Sequence, residues 1–254
     1  MNYKNIFFIP LMLLLASCGS TPENTDTVNN PAKTDLVAYV NPLMGTDSKF
    51  SLSNGNTYPA IATPWAMNFW TPMTAPIGDG WTYKYDDDQI RGIKQTHQPS
   101  PWLNDYGAFS LMAVTGEMKF NQDDRASWFS HKAEQASPDY YSVYLASYDV
   151  TAEVTPTERA AQFRFTFPDT DNAYIILDAF DKGSMVKILP EQRKIIGYAR
   201  NNHGGVPDNF HNYFVAEFDK DFEISRTWTD EYQLNGDAIS SQGEHVGAVI
   251  GFKT

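Results

Sequence analysis

Residues 150–167 read VTAEVTPTERAAQFRFTF, and they decide the fold class. Apolar and polar residues alternate in both halves, and the second half places Phe163, Phe165 and Phe167 on one face. A two-residue period is that of a half-buried β-strand. The phenylalanine face needs a cover, and a second sheet is the natural one, because no stretch of comparable length has the apolar recurrence of an amphipathic helix.

Comparable runs fill most of the chain after Asp105, separated by turns rich in Gly, Asn, Asp and Pro. Many strands at short spacing are typical of a sandwich or barrel. We therefore predict an all-β fold, a two-sheet antiparallel β-sandwich. Besides the two runs above, the strand candidates are residues 109–120, 140–148, 173–179, 195–200, 213–218, 222–228 and 245–252.

The first 17 residues have the layout of an export signal. Lys4 precedes a short apolar run, and small residues lead to Cys18, the only cysteine of the chain. This pattern predicts a lipoprotein signal peptide, residues 1–17, cleaved so that Cys18 carries a lipid. An ordinary secretory signal with a chance cysteine is the alternative. We expect a bacterial cell-envelope protein, in the periplasm or on the outer-membrane surface, held to the membrane through the Cys18 lipid anchor.

Composition divides the rest of the chain into two parts. Residues 18–34 are polar and almost free of apolar side chains, which predicts a disordered tether. Residues 35–254 have the length of one large β-sandwich domain, and the final strand candidate lacks a closing turn, which we interpret as truncation of that domain at its C-terminal end. A formal net charge of −12 disfavours binding to nucleic acid.

One segment has side chains suited to a sugar. Residues 78–107 read GDGWTYKYDDDQIRGIKQTHQPSPWLNDYG and combine aromatic rings with imidazole, amide and carboxylate groups. Aromatic faces attract the C–H groups of a pyranose, and planar polar groups pair with its hydroxyls. Pro99 and Pro101 remove backbone donors and hold the chain out of a strand ladder. The segment is therefore our candidate for carbohydrate binding.

Four residues of this segment are the main candidates, each with a structural alternative. His97 could bind a sugar hydroxyl while its second ring nitrogen is fixed by a neighbour, or it could satisfy loop backbone. Trp102 could stack on a pyranose or anchor the loop in the core. Asn104 and Asp105 could bind vicinal hydroxyls, although Asp105 could instead cap the following turn.

Two further candidates, Trp81 and Asn56, have weaker support. Trp81 and Tyr83 alternate with Thr82 as in a strand, so they should share a face, with burial as the alternative. Asn56 follows Gly55 in a predicted loop and could contact a ligand or serve the turn.

The remaining polar clusters are interpreted as surface. The carboxylates at 86–88, 123–124 and Glu153 lie in turn-like runs or on strand faces, where a solvated position is expected. We assign no catalytic residue to the chain. His203 and His211 are expected to be surface residues rather than a metal pair, and we predict no metal site in the chain.

A series of short motifs resembles the N-terminal domain of glycoside hydrolase family 92, the exo-acting, calcium-dependent α-mannosidases. His97 stands at the last histidine of the family's F-S-H-T-H, and Asp105 begins its D-Y-G. The motifs are NPLMGT at 41–46, GNTYPA at 55–60, PWAM at 64–67, GWTY at 80–83, IKQTH at 93–97, DYG at 105–107 and YFVAEF at 213–218.

The resemblance implies an inverting enzyme that acts on mannose-containing oligosaccharides of glycoprotein N-glycans or mannan. Such enzymes use two carboxyl groups about 6.5 to 9.5 Å apart. In the family these groups, and most calcium ligands, come from a C-terminal (α/α)6-barrel domain, the partner implied for this chain. The resemblance thus implies that this chain supplies part of a mannoside pocket and is inactive alone.

The chain departs from the family at residues 98–103, where QPSPWL replaces L-S-G-T-G-C. It also has no clear counterpart of a tryptophan that precedes G-Y-x-Y in some members, and this leaves the linkage specificity open. Trp102 or Trp81 could take that role. Two other functions remain open: a non-catalytic surface lipoprotein that binds carbohydrate, and a sandwich that only braces a partner domain.

Overall fold

The computed structural model describes residues 35–47, 57–78, 80–98 and 100–254. Two compact units divide the chain, Met1–Asp35 and Leu36–Thr254, and only Asp35 of the first is described. The predicted signal peptide, the tether, Cys18 and Asn56 lie outside the described residues. In the described ranges, no helix has the length and apolar character needed to span a bilayer.

Secondary structure in the described ranges is almost wholly β, as predicted. The only helices there are three short 3-10 turns, η1 (Leu36–Tyr39), η2 (His131–Ala133) and η3 (Pro190–Gln192). The strands are β1 (Phe69–Met73), β2 (Gln89–Ile90), β3 (Gly92–Thr96), β4 (Phe109–Thr115), β5 (Ser127–Trp128), β6 (Glu134–Ser137), β7 (Tyr140–Leu145), β8 (Val150–Pro156), β9 (Ala161–Thr166), β10 (Ala173–Asp178), β11 (Ser184–Leu189), β12 (Lys194–Ala199), β13 (Asn212–Glu217), β14 (Ile224–Trp228), β15 (Ser240–Gly243) and β16 (Gly247–Phe252).

The strands pair antiparallel, which confirms the predicted sandwich class. A six-stranded sheet has the order β1-β3-β4-β10-β16-β14, two four-stranded sheets have the orders β13-β12-β11-β15 and β6-β7-β8-β9, and β2 pairs with β5. Among the described residues, the sandwich thus has three larger sheets and one short ribbon. One hydrophobic core contains residues from all three larger sheets, among them Leu111, Val143 and Val186. Every position of β10 and β16 is buried, so these strands are covered on both faces.

The phenylalanine face of β9 is covered as predicted. Phe163 and Phe165 are half-buried, whereas Gln162 and Arg164 between them are exposed. The ring of Phe163 packs edge-on against Trp70 of β1, with the ring centroids 4.8 Å apart. The six-stranded sheet therefore supplies the cover through one large side chain.

Several loops leave the six-stranded sheet and the β11–β12–β13 sheet at corresponding ends. In the first sheet, β3 ends beside the start of β4, and Asp178 at the end of β10 pairs with Ser110. In the second sheet, Ala199 at the end of β12 pairs with the first residues of β11 and β13. The backbone N–H of Gly107 donates to the carbonyl of Asn201, 2.7 Å away. Loop 97–108 therefore lies against loop 200–211.

Candidate substrate-binding loop

His97 follows the last residue of β3 and is half-buried. Its backbone N–H donates to Asp105 Oδ1 at 2.8 Å, and its Nδ1 lies 2.8 Å from the carbonyl oxygen of Tyr106. A carbonyl only accepts, so Nδ1 carries the proton and Nε2 of the neutral ring is an acceptor. Nε2 has no partner within the described part of the chain. The ring is thus fixed on one side and available on the other.

Asp105 ties the two ends of the loop together. Its Oδ1 accepts from the backbone N–H groups of His97 and Tyr106, and its Oδ2 accepts from the Thr96 hydroxyl. Lys94 Nζ lies 2.8 Å from Oδ2, and the two side chains are only 2% and 1% exposed. Burial alone would raise the pKa of Asp105, but the Lys94 ammonium and these hydrogen bonds hold the pKa below its ordinary value. The carboxylate therefore positions His97.

Asn104 is also engaged inside the protein. It is buried with φ at 57°, a left-handed conformation that asparagine tolerates better than most residues. Its Oδ1 accepts from the backbone N–H of Asp105, and its Nδ2 donates to the carbonyl of Gly78. Both ends of the amide thus hold the turn against the preceding segment.

Gln98 makes a similar connection. Its Oε1 accepts from the Thr82 hydroxyl, and its Nε2 donates to the carbonyl of Gly80, both at 2.6 Å. The side chain is buried, as a satisfied amide can be. The start of the loop is therefore fastened to residues 80–82.

Trp102 is the exposed aromatic ring of the loop, with 61% of its surface accessible. Residues 80–84 form no ladder, so no strand holds Trp81 and Tyr83 on a shared face. Trp81 and Tyr83 are nevertheless both buried, and the Tyr83 hydroxyl donates to Glu134. Trp81 meets Trp102 edge to face, with ring centroids 5.5 Å apart and planes at 85°. Trp81 thus supports Trp102 from the protein side.

The β13-β12-β11-β15 sheet supports the C-terminal end of the loop through Asn201 and Asn212, which the sequence did not indicate. The side chain of Asn201 pairs with both the N–H and the carbonyl of Ala108. Asn212 Nδ2 donates to the carbonyl of Gly107 at 2.7 Å. Gly107 has φ at 60°, and a Cβ there would lie 2.6 Å from Cβ of Asn212. No local pattern could have indicated these contacts, because about a hundred residues separate the partners.

A small pocket lies beside Asp105. Its lining includes Gly78, Lys182, Asn202 and His203. His203 is exposed, as predicted. Partial burial and the Lys182 ammonium lower the pKa of His203 below its ordinary value. The pocket thus has a neutral imidazole and an ammonium at its rim, both able to contact hydroxyl groups.

Several carboxylates outside the loop are used in ion pairs or tyrosine contacts. The prediction of a solvated position was wrong for Glu153, which is largely buried and bonded to Arg164 and Tyr140. Burial was not anticipated for Glu134 or Asp178, whose carboxylates face tyrosine, histidine or arginine side chains. The described residues contain no group of three or more His, Cys, Asp or Glu that could hold a metal ion.

These features define a sandwich domain with a preorganised, sugar-compatible loop, and comparison with known proteins places it in a family. A profile of the glycosyl hydrolase family 92 N-terminal domain matches residues 39–254. The chain belongs to glycosyl hydrolase family 92, of which it contains the N-terminal domain.

Solved structures agree with this assignment. An inverting mannosidase of family GH92 from Bacteroides thetaiotaomicron is 44% identical and superposes with a TM-score of 0.82. The match covers 86% of this chain and 29% of the mannosidase chain. A second GH92 α-mannosidase from that organism is 31% identical, with a TM-score of 0.73. This match covers 86% of this chain and 31% of the second mannosidase chain. It has also been solved in complex with mannoimidazole.

A curated relative is more distant. An uncharacterized secreted glycosidase from Arthroderma benhamiae is 24% identical over 144 residues, which cover 53% of this chain and 18% of that protein. This chain thus spans less than a third of the length of each of these three relatives.

Proposed function

We propose that this domain forms one wall of the mannoside pocket of an inverting exo-α-mannosidase. The observation that carries the proposal is the 97–107 loop, in which buried contacts of Asp105 fix a histidine while an exposed tryptophan rests on a buried one. His97 Nε2 is oriented to accept a hydrogen bond from a sugar hydroxyl. Trp102 offers a face for the C–H groups of a pyranose.

We assign the catalytic acid and base to another part of the protein, because the buried carboxylate of this loop is already engaged. The Asp105 carboxylate is committed to Lys94 and three hydrogen-bond donors, so it has no role in proton transfer to a glycosidic oxygen. The catalytic acid and base of an inverting glycosidase stand far enough apart to admit a water molecule. We assign both, together with the calcium site, to a C-terminal (α/α)6-barrel domain of the parent protein. In this chain, we assign substrate contact to His97 and Trp102.

Asn56 lies outside the described residues, so its predicted contact with the substrate stays a prediction. Asn104, Asp105 and Trp81 are proposed to act on the substrate through the residues they position. The natural substrate in this proposal is a mannose-containing oligosaccharide from glycoprotein N-glycans or mannan. We further propose that export and lipidation of Cys18 hold the enzyme in the cell envelope, where such glycans are encountered.

The test is a stereochemical assay of the full-length parent protein beside this chain. The parent should release mannose from yeast mannan, and proton NMR should detect the β-anomer first, because inversion converts the α-linkage. The chain alone should release none. A parent that releases no mannose, or a chain that hydrolyses mannan by itself, would contradict the proposal. Binding without hydrolysis by both proteins would favour the non-catalytic lipoprotein.

A further inference from the structure

The outward face of the β13-β12-β11-β15 sheet presents a continuous row of side chains. Tyr213 pairs with Tyr198, Tyr198 with Met185, and Met185 with Gln242, so the row crosses all four strands. Directly paired residues point to the same face of a sheet. Tyr213 is 72% exposed and Gln242 is exposed, whereas the alternate position Phe214 is buried in the core. The row therefore faces solvent.

Three rings form a platform at one end of this row. His211 contacts Tyr198 at right angles, with centroids 4.4 Å apart, and lies nearly parallel to Tyr213 at 5.5 Å. His211 Nδ1 is held 2.7 Å from the carbonyl of Asn209. We call Tyr198, His211 and Tyr213 the outer platform. Its rings support one another, so little side-chain freedom is lost on binding.

A cavity of about 430 Å³ adjoins the outer platform and supplies polar groups. Tyr198, Arg200, Gln242 and Gly183 line it. Arg200 Nε donates to the carbonyl of Phe210, and a second guanidinium nitrogen donates to the carbonyl of Asp208. These bonds fix the guanidinium before any ligand arrives.

Gly183 keeps the cavity open beside this guanidinium. It has φ at 101°, and a Cβ there would stand 3.7 Å from Arg200 Nη1. A larger residue would be strained and would partly cover the nitrogen. The cavity thus presents a preset cationic donor next to an exposed amide.

We propose that the outer platform and this cavity bind one hexopyranose unit of a neutral oligosaccharide. The combination of aromatic faces, a fixed planar donor and an amide matches a sugar, which has both C–H faces and hydroxyls. The volume falls in the range of small-molecule sites, roughly 300 to 1,000 Å³. A neutral ligand agrees with the net charge of −12, which disfavours polyanions. The site shares no residue with the 97–107 loop and is independent of hydrolysis.

Affinity electrophoresis of the chain in gels containing yeast mannan tests this site. The Trp102→Ala variant serves as the starting protein, so that the 97–107 loop contributes little to retardation. Mannan should still slow this variant, and adding Tyr213→Ala or Gln242→Ala should weaken the apparent affinity at least tenfold. Tyr144→Ala, an exposed tyrosine on β7, is the matched control and should change nothing.

Three outcomes would overturn the proposal. The Trp102→Ala protein could run unretarded, its retardation could survive Tyr213→Ala and Gln242→Ala, or polygalacturonate could retard it while mannan does not. Tyr213 and Gln242 are exposed, so their removal leaves the fold intact, which circular dichroism would check. These results are separable from the proposed hydrolysis, which is measured by mannose release from the parent protein.

Discussion

Asp105 shows how far a single residue could be predicted. The D-Y-G motif and the choice between hydroxyl binding and turn capping were visible in the sequence. Its ion pair with Lys94 was not, because Lys94 lies inside a strand with its ammonium buried, and lysines are seldom buried unless paired. The structure thus makes Asp105 the residue that holds His97 in place.

We predict that Lys94→Met lowers the free energy of unfolding by about 3 to 5 kcal/mol, because it leaves the buried Asp105 carboxylate without its cation. Urea denaturation of the chain measures this loss. Lys194→Met is the matched control, since Lys194 pairs with the exposed Glu217 and should change stability by about 1 kcal/mol or less. Equal effects of the two substitutions would show that the Lys94 pair is not buried as described.

His245 is a second buried ionisable residue, and its pKa makes stability depend on pH. His245 Nε2 lies 2.7 Å from Asp178 Oδ1, and Arg125 lies 2.8 Å from Oδ2. Burial lowers the pKa of His245, but the Asp178 carboxylate outweighs it and holds the pKa above the ordinary 6.5. The charged imidazole therefore stabilises the folded state fully below about pH 6.5, and this stabilisation is lost as the pH rises through the higher folded pKa.

We predict that, as the pH rises above 6.5, the free energy of unfolding of the wild-type chain falls more steeply than that of His245→Gln. The glutamine cannot titrate, so the difference between the two curves reports His245 alone. Urea denaturation at several pH values measures both. Parallel curves would mean that His245 binds the same number of protons folded and unfolded.

At the scale of elements, the sequence predicted β8 and β9 and also the fully buried β10 and β16, but it missed β11, although buried and more exposed positions alternate along that strand. The alternation in β8 and β9 revealed both strands, whereas β15 reads Ser-Ser-Gln-Gly and shows no pattern. β15 is a strand because β11 pairs with it, which is a tertiary cause. β1 was missed because Pro72 interrupts it, a residue that the sheet accepts at its edge. The strand predicted at 109–120 ends at Thr115, because Gly116 turns the backbone with φ at 82°.

We predict that Gly247→Ala destabilises the chain by about 1 to 3 kcal/mol, as overpacking does. A Cβ at Gly247 would lie 2.2 Å from both the Leu177 carbonyl oxygen and the Trp228 ring, so β10, β14 or β16 would have to shift. Gly243→Ala is the control, because the nearest neighbour of a Cβ at that position would be a valine methyl at 3.3 Å. Thermal unfolding compares the two variants, and equal melting temperatures would contradict the close packing.

At the scale of the whole molecule, the sequence indicated the residues of the loop but not the distant residues that pack against it. His97, Trp102 and Asp105 lie within ten residues of one another, so a local motif could indicate them together. Asn201 and Asn212 reach the loop only because strands distant in sequence pair. The rings of the outer platform are likewise brought together by strand pairing, and no local sequence pattern indicates either set of contacts. The proposed function therefore depends most on whether the 97–107 loop contacts the substrate.

The most direct measurement is kcat/KM of the full-length parent enzyme for an α-mannoside, with and without His97→Ala. We expect His97→Ala to lower kcat/KM by at least about tenfold, near 1.4 kcal/mol of transition-state interaction, because His97 Nε2 would contact the substrate. Trp128→Ala, an exposed aromatic on β5, should leave the value within about twofold. An unchanged kcat/KM in His97→Ala would contradict the claim that this domain forms part of the mannoside pocket through His97.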